Sequence, residues 1–166
     1  MTADKIRGFL YNGIKKMENN VKQYRRTLKD YSVTVIFFMF LDIIDMLQSY
    51  TNGEYNIAAA GNSAAITAVC VSVGTSLITV ITKLLIGIFG ILQANGKRNS
   101  HIHTALAIIS LVFSLFGIFM TASIALRGGY FDVYTTVQSL AAAAVLFLFI
   151  RASRKLRKAE KNDIRK

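Results

Sequence analysis

The chain has 166 residues, is 53% hydrophobic and carries a formal net charge of +11. A soluble domain of this length would hold its apolar residues in short periodic patches. Here they come in four runs, each close to the roughly 20 residues that cross a bilayer core about 30 Å thick, and these runs with two charged ends leave no room for a separate soluble domain.

The expected fold is an all-α membrane protein: a four-transmembrane-helix bundle with a basic amphipathic N-terminal helix and a basic C-terminal helical extension. Residues 1–30 form the first unit. Ile6, Leu10, Ile14, Met17, Val21, Tyr24, Leu28 and Tyr31 recur at steps of three and four, which is one helix face. Lys5, Arg7, Lys15, Lys16, Lys22, Arg25, Arg26 and Lys29 occupy the others. A basic amphipathic helix beside a span is expected to lie on the inner membrane surface, cations against anionic lipid. A coiled-coil contact with another subunit or a partner is the alternative. The same residues carry no apolar leader segment, so the first span is expected to direct insertion itself.

The first span is expected at about 31–50. Its apolar core, Val33 to Leu41, leads into Asp42 and Asp45. Asn52-Gly53 is a turn signal, and the loop over 51–62 has Glu54 and no Lys or Arg. The second span, about 64–92, is rich in Ser, Thr, Gly and Ala and contains Lys83 and the single cysteine, Cys70, read as a small buried hydrophobe. The connector over 93–101 carries Asn95-Gly96, Lys97 and Arg98. The third span is expected at about 102–126, then a tight loop at Arg127-Gly128-Gly129, then the fourth span at about 131–150. Residues 151–166 form the basic tail. With no Pro in the chain no span carries a proline kink, and with no Trp the interfacial anchors fall to Tyr31, Tyr50, Tyr130 and Tyr134.

Orientation follows from the cations. Residues 1–30 hold eight Lys/Arg, the 93–101 connector two and the tail eight, whereas the other two loops together hold only Arg127. The positive-inside rule then puts both termini and the middle loop in the cytoplasm. The whole excess charge lies at the two cytoplasmic ends, so the expected partner is anionic lipid of the inner leaflet and not nucleic acid.

Three charges inside the apolar runs are the functional lead, because a charge in hydrocarbon is costly. Asp42 lies roughly 16 Å above Tyr31, and Lys83 roughly 15 Å above Gln93. Matching depth on sequential antiparallel helices is the geometry of an ion pair. Asp45 is on the same helical face, one turn further out. Three readings compete: a pair that only fixes helix register, a group of charges that lines an ion or proton path, or an Asp45 that sits in headgroups. With two acids and one base, one acid lacks an obvious partner.

Ala68, Ser72, Thr75, Thr79, Lys83 and Gly90 form a polar or small stripe down the second span, and His103, Ala107, Ser110, Ser114, Gly117 and Thr121 a similar one in the third. Such stripes let helices approach closely or line a pore. Gln138 and Ser139 are polar residues in the outer third of the fourth span, with Ala141 to Ala144 below them. His101 and His103 have the wrong spacing for one helical face, so no metal site is expected. No nucleophile-base pair, zinc motif or phosphate loop appears, and no cofactor is expected.

The leading functional expectation is an oligomeric channel or small-solute/ion transporter whose path runs past Asp42, Asp45, Lys83, Thr75, Thr79 and Ser72. A pore of useful width from four helices implies a homo-oligomer. The alternative is a non-transporting accessory, scaffold or immunity-type protein that binds another membrane protein. A membrane enzyme, using His101, His103, Asp132 or Tyr134, is the weakest reading. No motif ties the chain to a known family.

Overall fold

A computed structural model describes residues 3–53, 63–97, 101–127 and 133–164, with the side chains of 3–18, 124 and 163–164 outside that description. The expectations for Glu54, Arg98, the Gly128-Gly129 loop, Tyr130 and Asp132 concern positions outside the described residues.

The described residues form four helices: α1 Ala3–Thr51, α2 Ser63–Ala94, α3 Ile102–Leu126 and α4 Val133–Ile164. Each is long and apolar enough to cross a membrane, the makeup of a multi-pass membrane protein. Helix α1 packs on α2 and on α4, and α3 packs on α4 and more sparingly on α2. Two helix ends follow local chemistry. Gly53 and Gly96 adopt φ of 76° and 72°, the left-handed conformation that glycine takes without a Cβ penalty. After α2, the Gly96 N–H donates to the Gln93 carbonyl and the Lys97 N–H to the Leu92 carbonyl, which is a Schellman ending.

One expected boundary is absent. Helix α1 runs unbroken for 49 residues, about 74 Å at 1.5 Å per residue. A basic segment lying flat on a membrane beside an upright span would need a break near residue 30. The stretch Lys29-Asp30-Tyr31-Ser32-Val33 offers neither glycine nor proline to make one. The basic segment instead continues the path of the span, and its inner turns pack on α4: Val21, Tyr24 and Leu28 join one apolar cluster with Ala152 and Leu156. Arg25 pairs with Glu160 at 3.0 Å, and the Lys155 ammonium lies 5.8 Å from the Tyr24 ring centroid. The tail is likewise helical and continuous with the fourth span.

Burial is confined to one half of the bundle. The buried residues of α1 end at Met39, those of α2 begin at Lys83, those of α3 end at Ala107 and those of α4 begin at Ala142. This is the half next to the basic ends. Glycines set its closeness. A Cβ at Gly90 would run into the Ser32 hydroxyl and into the Phe149 ring, and one at Gly87 into Ile36. Small residues thus bring α2 against α1, as van der Waals packing between apolar helices requires. The Ser32 hydroxyl, fully buried, donates to the Leu28 carbonyl at 2.7 Å.

In the other half the helices stand apart. Gly74 and Gly117 have no side chain or neighbouring helix within 4 Å of a Cβ position. Phe113, Phe116 and Phe119 are all more than half exposed. Cys70, expected to be buried, is exposed here, because no described residue covers its face of α2. Tyr50 and Tyr134 are exposed near the same end, as interfacial anchors would be.

Candidate functional site

The two halves meet at the charges inside the apolar runs. Lys83 donates to both carboxylate oxygens of Asp42, at 2.8 Å and 2.6 Å. The lysine is 7% exposed, and Asp42 keeps one side open. Equal depth on antiparallel α1 and α2, with Gly87 and Gly90 drawing those helices together just below, puts the ammonium within reach. Most of the desolvation cost of the lysine is offset by this two-point contact.

Asp45 does not share Lys83. Its Oδ2 accepts a hydrogen bond from Gln138 Nε2 of α4 at 2.8 Å. The unmatched acid therefore has a neutral amide as partner, and Asp42, Asp45 and Lys83 carry a formal charge of −1 when all three are ionised. Gln138 was legible only as a polar residue in the outer third of its span, because one sequence does not say which helix α4 faces.

Above these charges a cavity of about 500 Å³ opens toward the loosely packed end. Asp42, Asp45, Thr75 and Thr79 line its floor and wall, with Ser49 and Asn52 of α1 and Thr135 of α4 further out. Thr75 donates its hydroxyl hydrogen to the Val71 and Ser72 carbonyls, and Thr79 donates to the Thr75 carbonyl, each at 2.9 Å. These hydroxyls have spent their hydrogens inside the helix and present lone pairs outward. Carboxylates and lone pairs together make an acceptor-rich lining, suited to water and to a cation.

Ser72 does not line this cavity. It is exposed, and its carbonyl accepts from Thr75. A second opening of about 400 Å³ lies between α2 and α3, lined by Thr75, Thr79, Thr82, Lys83, Ser110 and Ser114 among others. Both stripes therefore reach open space in this half. In the packed half the same stripes serve contact: Gly90 and Ala107 are buried. Thr75 and Thr79 border both openings, and Lys83 borders the second.

Beneath the ion pair an apolar layer closes the bundle. Val35, Ile86, Leu146 and Phe149 are all 2% exposed or less. Below it lies a polar network that sequence reasoning missed. His103 Nε2 meets Gln93 Oε1 at 2.6 Å and Ser153 Oγ at 3.2 Å. Thr104 and Ser153 share a hydrogen bond at 3.0 Å, and Arg157 donates to Thr104 and Ser153 and contacts His101. The two histidines thus engage different partners. Burial holds the Arg157 guanidinium below its usual pKa, with the neighbouring Arg154 adding to the shift. The network ties the start of α3 to α2 and α4. Its only sequence signal was a Gln and a His at the facing ends of α2 and α3, with Ser153 just past the apolar run of α4.

No protein-family model, no curated protein and no solved structure matches this chain. The fold defines the class, a bundle with four helices fit to span a membrane, and the reading of activity stands on the geometry alone.

Proposed function

We propose that the protein is an oligomeric membrane channel or ion transporter, selective for cations, whose path enters the acidic vestibule and passes the Asp42–Lys83 pair. The observation that carries this reading is the 500 Å³ polar cavity with Asp42, Asp45, Thr75 and Thr79 at its inner end. A polar, acceptor-lined cavity at mid-helix depth is costly in hydrocarbon unless water or an ion fills it. The positive-inside rule puts both termini in the cytoplasm, so the vestibule opens outward and the apolar layer acts as an inner gate, of the kind that blocks conduction by dewetting.

The oligomer enters through the second opening. Thr82, Ser110 and Ser114 lie with Ile78, Ile109 and Phe113 along a gap between α2 and α3. A second copy closing that gap would bury the hydroxyls and complete the wall of the path.

Cation and proton flux through proteoliposomes of the purified protein, compared with Asp45→Asn, tests the reading. Flux in the wild type that disappears in a folded variant is the expected result. No flux under any gradient would sink it. A second reading, a non-transporting accessory or scaffold protein, is favoured by one observation: each acid already has a partner, Lys83 or Gln138, and the apolar layer closes the single subunit. On that reading, joint neutralisation of Asp42, Asp45 and Lys83 would leave function intact as long as packing survived.

A further inference from the structure

A groove at the basic end has no part in the vestibule. It lies between α1 and α4 and encloses about 290 Å³. Helix α1 contributes Gln23, Tyr24, Thr27 and Tyr31, and α4 contributes Leu148, Arg151, Ala152 and Lys155. No Asp or Glu lines it. Lys155 lies over the Tyr24 ring, and Glu160, the nearest acid described on α4, is engaged by Arg25. Among the described residues, two cations therefore line the groove and no carboxylate does.

The level of the groove is as telling as its charge. Arg151 is the first charged residue after the apolar run of α4, and Tyr31 opens the apolar run of α1. Both helices change from apolar to basic at this height, where the headgroup phosphates of a bilayer lie. Leu148, at the apolar end of the groove, is 36% exposed and begins the apolar surface along which an acyl chain would run. A guanidinium fork offers two parallel N–H donors to a phosphate, and an ammonium adds a point charge.

We propose that this groove binds the phosphate of one anionic phospholipid from the leaflet facing the basic ends, held by Arg151 and Lys155. The shared chemistry is a phosphate ester anion. A lipid, not a dissolved phosphate, is its source because the groove straddles the apolar boundary. The proposal rests on the helices spanning a membrane, and it is independent of transport.

Native mass spectrometry of the protein released from nanodiscs of equal phosphatidylglycerol and phosphatidylcholine tests it. The wild type is expected to retain one phosphatidylglycerol. Arg151→Gln with Lys155→Gln should lower retention about tenfold. Arg154→Gln with Lys158→Gln removes the same charge from α4 outside the groove and should leave retention unchanged. Equal losses in the two double variants would reduce the site to diffuse surface charge and overturn the proposal. Thr27→Glu sets a carboxylate into the groove without touching α4 and should expel the lipid; retention in that variant would also overturn it. Displacement of the lipid from the wild type by dissolved glycerol phosphate at matched concentration would mark a soluble-phosphate site instead. Lipid retention is read separately from flux, so its failure and that of the transport reading are distinguishable.

Discussion

Phe149 and Phe116 are both phenylalanines in apolar helices, yet the first is fully buried and the second 61% exposed. The contrast extends to glycine. Gly90 sits where a Cβ would strike Ser32 and Phe149, and Gly117 sits in open space. The same residue types serve packing in the half near the basic ends and face open surroundings in the other. In water the outer half would be a defect, since large apolar side chains there are exposed on every helix. In a bilayer the exposed faces are solvated by lipid, and only the backbone and the polar groups need internal partners. The lesson is that the packed half holds the bundle together, and the open half is free to carry a polar cavity.

That contrast can be broken most directly at the phenylalanines. Phe149→Ala should destabilise the bundle by about 3–5 kcal/mol, the usual cost of emptying a buried aromatic site. Phe116→Ala should stay within about 0.5 kcal/mol, as substitutions away from packed features do. Unfolding in mixed micelles, followed by circular dichroism, measures both. Similar losses at the two positions would mean that the outer half is packed in the assembled protein, and would point to an oligomer contact at Phe116.

The boundary between the halves is tested by its ion pair. Lys83→Met alone leaves Asp42 without its partner and should cost about 3 kcal/mol, at the low end for a buried pair because Asp42 borders the cavity. Asp42→Asn with Lys83→Met should cost much less. The same unfolding assay checks this, and equal losses in the single and double variants would argue that the pair contributes nothing to register.

Glycine gives a smaller and sharper test. Gly90→Leu should cost about 1–3 kcal/mol, as overpacking between helices does. Gly117→Leu, where there is room, should change stability by less than about 0.5 kcal/mol. A comparable penalty at Gly117 would place a partner helix there. The smallest effect belongs to the part-buried Arg25–Glu160 pair: Arg25→Gln should cost about 1 kcal/mol or less, and part of that should be lost at high salt. A larger, salt-independent loss would show that the helical extensions depend on this contact.

Much of this was legible in the residues. The α3 boundaries agree with the expected third span, and α2 with the second to within two residues at each end. Runs of apolar residues bounded by Asn-Gly turns leave little choice, because an unsatisfied backbone in hydrocarbon is too costly for anything but a helix. That Lys83 would pair with one of the two acids was legible too, since helical rise turns sequence distance into depth; that the partner is Asp42 was not. Three further things were not. The continuity of α1 through residue 30 was hidden by a change of composition that suggests a boundary where no helix-breaking residue exists. Gln138 as the partner of Asp45 and the network at His103 depend on which faces α3 and α4 turn toward the others. The exposure of Cys70 and Ser72 depends on the outer half being open.

The sequence by itself determined the number of long apolar runs, their approximate bounds, the level of each charge along its run and the concentration of cations at the two ends, because those follow from hydropathy and rise along a single helix. Only the tertiary structure decided which half is packed and which is open, that Asp45 turns to an amide and not to Lys83, and that Arg151 and Lys155 share a groove with Tyr24 and Tyr31. These depend on close approach between helices, set by glycines at positions 87 and 90 and by the steric fit of Phe149. A hydrophobic pattern along one chain is the same whichever neighbour it faces.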